Sequence, residues 1–321
     1  MPLSNSSSLR HLWRALRYTR VHDLCNPTIQ QTRRRLTAGP CPQYGSIVVF
    51  SFIPAVKLAY CAVNQSAKPD SGTPLPLALY ADLGPAANLK DVCKIADTLY
   101  DKHNIEELYM LLEQFRDTDD ADIQWRLARV LYEKSQAATV KEEKKSLMYA
   151  AFDASKRAVA AGGGNFACHK WYAILLDEIG KFKGTKFRLQ RSPEVKEHFE
   201  KAIALNPSDP TSHHCLGYWH YSFADLAWYT RQAAAAFFAT PPTSTYEEAI
   251  KCFEHAEQVQ PNFYSMNLLM LGKAHMKIHN YQHAVVYLTR LQQYKPETAE
   301  DRKALEEGNQ LLQEAIKKSQ S

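Results

Sequence analysis

Two short runs put histidine beside cysteine, Cys168-His169 and His213-His214-Cys215. Imidazole and thiolate are zinc ligands, so these runs are the first place to look for metal chemistry. Neither has the spacing of a zinc site, and the seven cysteines (25, 41, 61, 93, 168, 215, 252) include no Cys-x-x-Cys pair. An odd, scattered set of this kind predicts reduced, buried thiols rather than a disulfide framework. Gly162-Gly163-Gly164 lacks the Lys-Ser/Thr and the preceding strand of a phosphate-binding loop, and reads as a helix stop. No nucleophile and base fall at a usable spacing. The residues predict no catalytic group, no metal and no cofactor.

Binding chemistry is easier to locate. Lys181, Lys183, Lys186, Arg188 and Arg191 fall within eleven residues that contain no acid. Such a strip suits a polyanion: an acidic protein tail, a phosphoinositide or a nucleic acid. The alternative is an ordinary solvated loop. Further on, LAWYTRQAAAAFFATPP brings Trp228, Tyr229, Phe237 and Phe238 into one apolar stretch. A helix of that composition must bury a face, either in its own domain or around a lipid or peptide helix.

The charge is uneven. The chain carries +5, but residues 1–68 hold seven Arg and two Lys against Asp23 alone, a net +8 that leaves −3 for the rest. In LRHLWRALRYTR, Leu9, Leu12, Trp13 and Leu16 recur at helical spacing, with Arg10, Arg14, Arg17 and Arg20 on the other side. That is the pattern of a mitochondrial presequence or of a helix lying on an anionic membrane. Arg33-Arg34-Arg35 has no aromatic platform or base-reading motif beside it, so nucleic acid is not an expected partner. Residues 47–63 are apolar but interrupted by Pro54 and Lys57, short of a spanning helix. The predicted division is a basic targeting or membrane-associated segment at 1–68, a Pro/Gly-rich linker at 69–88 and a folded domain at 89–318.

The elements that position these residues repeat. Ala249, Phe253, Ala256 and Pro261 sit at offsets 0, 4, 7 and 12, and Ala284, Leu288, Leu291 and Pro296 match them 35 residues on. Gly272 lies twelve residues before Ala284, and Ala96 lies twelve before Leu108, so the first and last copies are uninterrupted. A period of about 34 residues with small residues at fixed places is the tetratricopeptide pattern, two helices per repeat. Between them stand Ala128 with Ala151, Ala173 with Val195, and Gly217 with Ala249, at steps of 23, 22 and 32. These three copies therefore carry insertions of about 10 to 20 residues between their helices, whereas the step from one repeat to the next stays at 15 or 16. His169 and His213 occupy one repeat position, which favours a structural role over metal binding. Residues 297–318 read as a capping helix. The fold class is all-α, a tetratricopeptide-like helical repeat solenoid with intra-repeat insertions and a C-terminal capping helix.

ADIQWRLARVLYEKS, FACHKWYAILLDEIG, VKEHFEKAIALNPSD, LAWYTRQAAAAFFATPPTSTYEEAI and PNFYSMNLLMLGKAH together resemble the regulator of microtubule dynamics protein family over residues 89–315. The resemblance extends to the insertions. It implies a non-enzymatic protein associated with microtubules (tubulin) and spindle poles in the cytoplasm, with some relatives attached to mitochondria or endoplasmic reticulum. The alternative expectation is a lipid or apolar-ligand module on such membranes, built on Trp228–Phe238.

Overall fold

The computed structural model describes residues 88–226 and 242–320. Among them run eleven helices: α1 Leu89–Asp101, α2 Ile105–Glu113, α3 Ala121–Ala137, α4 Lys141–Ala161, α5 Phe166–Lys183, α6 Thr185–Leu205, α7 Pro210–Ala224, α8 Tyr246–Val259, α9 Ser265–Lys277, α10 Tyr281–Gln292 and α11 Ala299–Ser319. The helix starts are written in the sequence. Asn88, Asp120, Asn165 and Asp209 each accept a hydrogen bond from a first-turn amide, satisfying a donor that the helix itself leaves unpaired. Thr245 with Glu248, and Thr298 with Asp301, close reciprocal capping boxes at α8 and α11.

Successive helices pair antiparallel, and the second helix of each repeat packs against the first helix of the next. The small residues sit where this packing is tightest. Ala96, Ala128 and Ala173 are wholly buried. A Cβ on Gly217 would lie 2.8 Å from two ring carbons of Phe253, and one on Gly272 would lie 2.5 Å from a methyl of Leu288. Those distances are shorter than any van der Waals contact, so glycine here sets how closely the two helices of a repeat approach. Gly308 repeats the device in α11 against Leu291, 2.4 Å from a would-be Cβ, and seats the capping helix on the stack. Leu108, Leu112, Phe199, Phe253, Leu288 and Leu291 fill the matching second-helix positions and are fully buried. Each such side chain contributes about 1.5–3 kcal/mol.

The insertions take a form that spacing alone did not give. In the second and third repeats the extra residues are helical. Only residues 138–140 separate α3 from α4, and only Gly184 separates α5 from α6. The repeats are longer because their helices are longer. In the fourth repeat the extra residues lie between α7 and α8, and 227–241 fall outside the described residues.

Helix α6 continues through Pro193, which can give no amide to the carbonyl of Leu189. The Ser192 hydroxyl donates to that carbonyl instead, at 2.8 Å. The indole N–H of Trp219 in α7 donates to the Ser192 carbonyl at 3.0 Å, tying the same turn to the next repeat. The proline is thereby accommodated, and α6 runs unbroken from the α5–α6 corner to Leu205.

Candidate functional site

The basic strip lies at the tip of the lengthened third repeat, split between two helices. Gly184 reverses the chain in a single residue with φ 93°, the left-handed region that favours glycine. Its amide closes α5 onto the Gly180 carbonyl at 2.8 Å, and its carbonyl starts α6 by accepting from the Arg188 amide at 3.2 Å. Lys181 and Lys183 end α5, while Lys186, Arg188 and Arg191 open α6.

These five cations do not form one exposed set. Arg188 turns inward: its guanidinium is buried and holds both oxygens of Asp177 on α5, at 2.9 and 3.1 Å. Gly180 makes room for this, since a Cβ there would lie 2.1 Å from Arg188 Cγ. Burial pushes the Asp177 carboxyl above its ordinary range, and the guanidinium opposes that shift. Arg188 is therefore a structural pivot of the corner, and the sequence expectation that placed it on the binding surface is corrected. Lys181 pairs with Glu178, and Arg191 pairs with Glu194 at 2.6 Å, both one turn away on their own helices. The Lys183 ammonium lies over two rings, 4.8 Å from Phe187 and 6.0 Å from Tyr149 on α4. Lys183 and Lys186 stay exposed at the tip. The strip contains no acid along the chain, yet three carboxylates just outside it, Asp177, Glu178 and Glu194, are folded onto it. Helical spacing carries two of those pairings, so they were visible in sequence; the Asp177–Arg188 pair required the turn at Gly184.

The histidines have the structural positions that their repeat register suggested. His169 donates through Nε2 to the Gly163 carbonyl, and His213 through Nε2 to the Pro207 carbonyl, each at 2.9 Å and six residues back. The first of these fixes the His169 tautomer, so its Nδ1 accepts from His198 Nδ1–H at 3.0 Å. Burial and the neighbouring His169 hold His198 down to about 4. No group of three or more His, Cys, Asp or Glu side chains among the described residues could hold a metal ion. Burial pushes the thiols of Cys93 and Cys168 up to about 11 and about 12, away from nucleophilic chemistry.

Ala167 through Gly180 of α5 are buried without interruption, and α7 is buried from Thr211 to Ala224 except for half-buried Tyr218. The first helices of these two repeats therefore present no open face for a peptide. Trp228, Tyr229, Phe237 and Phe238, and Arg10, Arg14, Arg17 and Arg20, lie outside the described residues. No described helix is long and apolar enough to cross a membrane.

The family described as "Regulator of microtubule dynamics protein 1-3" matches residues 92–317. The chain is 46% identical over 227 residues to regulator of microtubule dynamics protein 1 of Pongo abelii, covering 70% of this chain and 72% of that one. It is 33% identical over 186 residues to regulator of microtubule dynamics protein 3 of Xenopus laevis, covering 58% and 40%. Among solved structures it is similar to a thermophilic TPR protein of Thermus thermophilus, with a TM-score of 0.47 and 11% identity over 69% of this chain and 98% of that one.

Proposed function

The chain belongs to the regulator of microtubule dynamics protein family, and from that premise we propose that it is a non-enzymatic microtubule-associated repeat protein whose contact runs through the α5–α6 corner. The observation that carries the contact is the placement of Lys183 and Lys186. They project at the tip of a lengthened hairpin with Lys181 and Arg191 beside them, on a chain that carries net −3 beyond residue 68. The microtubule surface and the tubulin tails are acidic. A domain of net negative charge can approach them only through a local patch of opposite sign. The N-terminal arginines Arg10, Arg14, Arg17 and Arg20 assist in the same sense.

Cosedimentation of the full chain with microtubules tests this. The Lys183→Glu/Lys186→Glu variant is expected to pellet several-fold less than wild type at low salt, and the difference is expected to shrink as salt screens exposed charges. Equal pelleting of the two proteins at low salt would remove the corner as the contact. A lipid or apolar-ligand role on organelle membranes rests on Trp228–Phe238, and no described residue favours it.

A further inference from the structure

We propose that the solenoid is acid-sensitive at one end only. A histidine–histidine contact joins the two helices of each of the last three repeats, and mild acidification opens those repeats while the first two stay closed. In the third repeat His169 of α5 meets His198 of α6, Nδ1 to Nδ1 at 3.0 Å. In the fourth, His213 of α7 and His255 of α8 have ring centroids 4.2 Å apart. In the fifth, His275 of α9 lies nearly parallel to His283 of α10 at 5.2 Å. His169, His213 and His275 are buried, His198 is half-buried, and His255 and His283 are exposed. His169 and His213 stand in the first turns of their helices and His275 near the end of α9, so repeat register alone does not account for three contacts. Residues 88–161, which hold α1–α4, contain a single histidine, His103, exposed at the α1–α2 turn.

Each contact takes up fewer protons than two free imidazoles would. His169 keeps its Nε2–H on the Gly163 carbonyl, so a second proton on Nδ1 would set two N–H groups face to face at 3.0 Å. In the other two pairs a second proton would bring imidazolium rings together at 4.2 and 5.2 Å. The surroundings do not cancel this. Burial and His169 hold His198 down to about 4, helped by Lys201 and opposed by Glu194 and Glu197. Burial and His255 hold His213 down, opposed by the Pro207 carbonyl and by Asp209, which is itself paired with Lys170. Burial and His283 hold His275 down, opposed by Glu254, whose carboxylate also accepts from the Tyr287 hydroxyl. Both ring nitrogens of His275 are buried without a hydrogen-bond partner, with a Glu254 oxygen 3.7 Å from Nε2. Below pH 6.5 the unfolded repeat therefore binds one proton per pair that the folded repeat refuses. Each refused proton raises the opening constant by up to about tenfold per pH unit. His214 and His220 of α7, also held down by burial, act in the same direction in the fourth repeat. Helices α1–α4 are joined instead by ion pairs such as Asp97–Arg126 and Glu106–Lys134. One end can open without the other because each repeat touches only its neighbours. The device works whatever the α5–α6 corner binds.

Hydrogen exchange of the full chain, read by mass spectrometry and corrected for the chemical pH dependence of amide exchange, is the test. Between pH 6.5 and 5.5 the protection of α5–α10 peptides is expected to fall about tenfold or more, while that of α1–α4 changes less than about twofold. His255→Gln/His283→Gln alters only the exposed members of two pairs. It is expected to keep several-fold more protection than wild type in α7–α10 at pH 5.5, with α5–α6 unaltered. His198→Gln, whose amide can still donate to His169 Nδ1, is expected to do the same for α5–α6. Protection is compared between pH 7.5 and 5.5 within each protein, so a variant that is merely less stable still reports. Equal loss along α1–α10 overturns the proposal, because acid would then act on the molecule as a whole. So does wild-type loss in either variant, which would assign the effect to burial without the pairing. Unchanged protection of α5–α10 down to pH 5.5 overturns it as well.

Discussion

Arg188 shows how far one residue can depart from its sequence neighbourhood. Its cationic neighbours along the chain group it with the binding strip, but its guanidinium is buried against Asp177. A buried pair contributes little beyond what apolar residues of similar volume would, yet breaking one side of it leaves an uncompensated charge in the interior. Arg188→Met is accordingly expected to destabilise the domain by about 3–5 kcal/mol in urea unfolding. The double variant Arg188→Met/Asp177→Leu is expected to recover most of that loss. If the single variant unfolds like wild type, the pair is not holding the corner. His214 makes the same point through its tautomer. The Asn267 amide donates to the Phe253 carbonyl and to Glu257, so its oxygen faces His214 and Nδ1 must carry the proton. Nε2 is then bare and buried without a partner.

At the scale of the element, the long helices of the third repeat depend on local repairs that composition does not announce. Pro193 would ordinarily break α6, and the Ser192 hydroxyl takes over the orphaned Leu189 carbonyl. Ser192→Ala is expected to cost about 1–2 kcal/mol, the penalty of leaving a buried carbonyl unpaired. On a Pro193→Ala background the backbone amide returns to the Leu189 carbonyl, so the same serine change is expected to cost only a few tenths. A double-mutant cycle by chemical denaturation measures the difference. Equal costs on both backgrounds would mean that the hydroxyl is not compensating for the proline. The α5–α6 corner depends likewise on Gly184 for its φ and on Gly180 for the passage of Arg188. Sequence reading saw these residues only as part of an insertion.

Across the whole molecule, buried histidines tie the stack to pH. Burial holds His214 down to about 4, with Asn267 opposing, against an ordinary value of 6.5. Above pH 6.5 both folded and unfolded chains keep this imidazole neutral, and it contributes nothing to the pH dependence. Below pH 6.5 the unfolded chain binds a proton that the folded chain refuses. Stability is therefore lost at up to about 1.4 kcal/mol per pH unit until pH falls to about 4. The stability difference between wild type and His214→Gln, followed by urea titration at a series of pH values, is expected to narrow steadily from pH 6.5 to 4.5. A difference independent of pH would show that His214 titrates normally. His198, also held to about 4 by burial and by the neighbouring His169, contributes in the same direction over the same pH window. What the sequence determined by itself was the periodic part. Small residues, capping residues and terminal prolines act within a turn or between neighbouring helices, so spacing alone revealed the repeat, its register and the capping helix. It also revealed which copies were longer. Only the tertiary structure decided what that extra length became, and which cations remained on the surface. Those outcomes hang on a one-residue turn at Gly184 that brings Asp177 to Arg188, and on the packing of Tyr149 against Phe182 between two repeats. Contacts between elements are set by geometry that no run of neighbouring residues encodes.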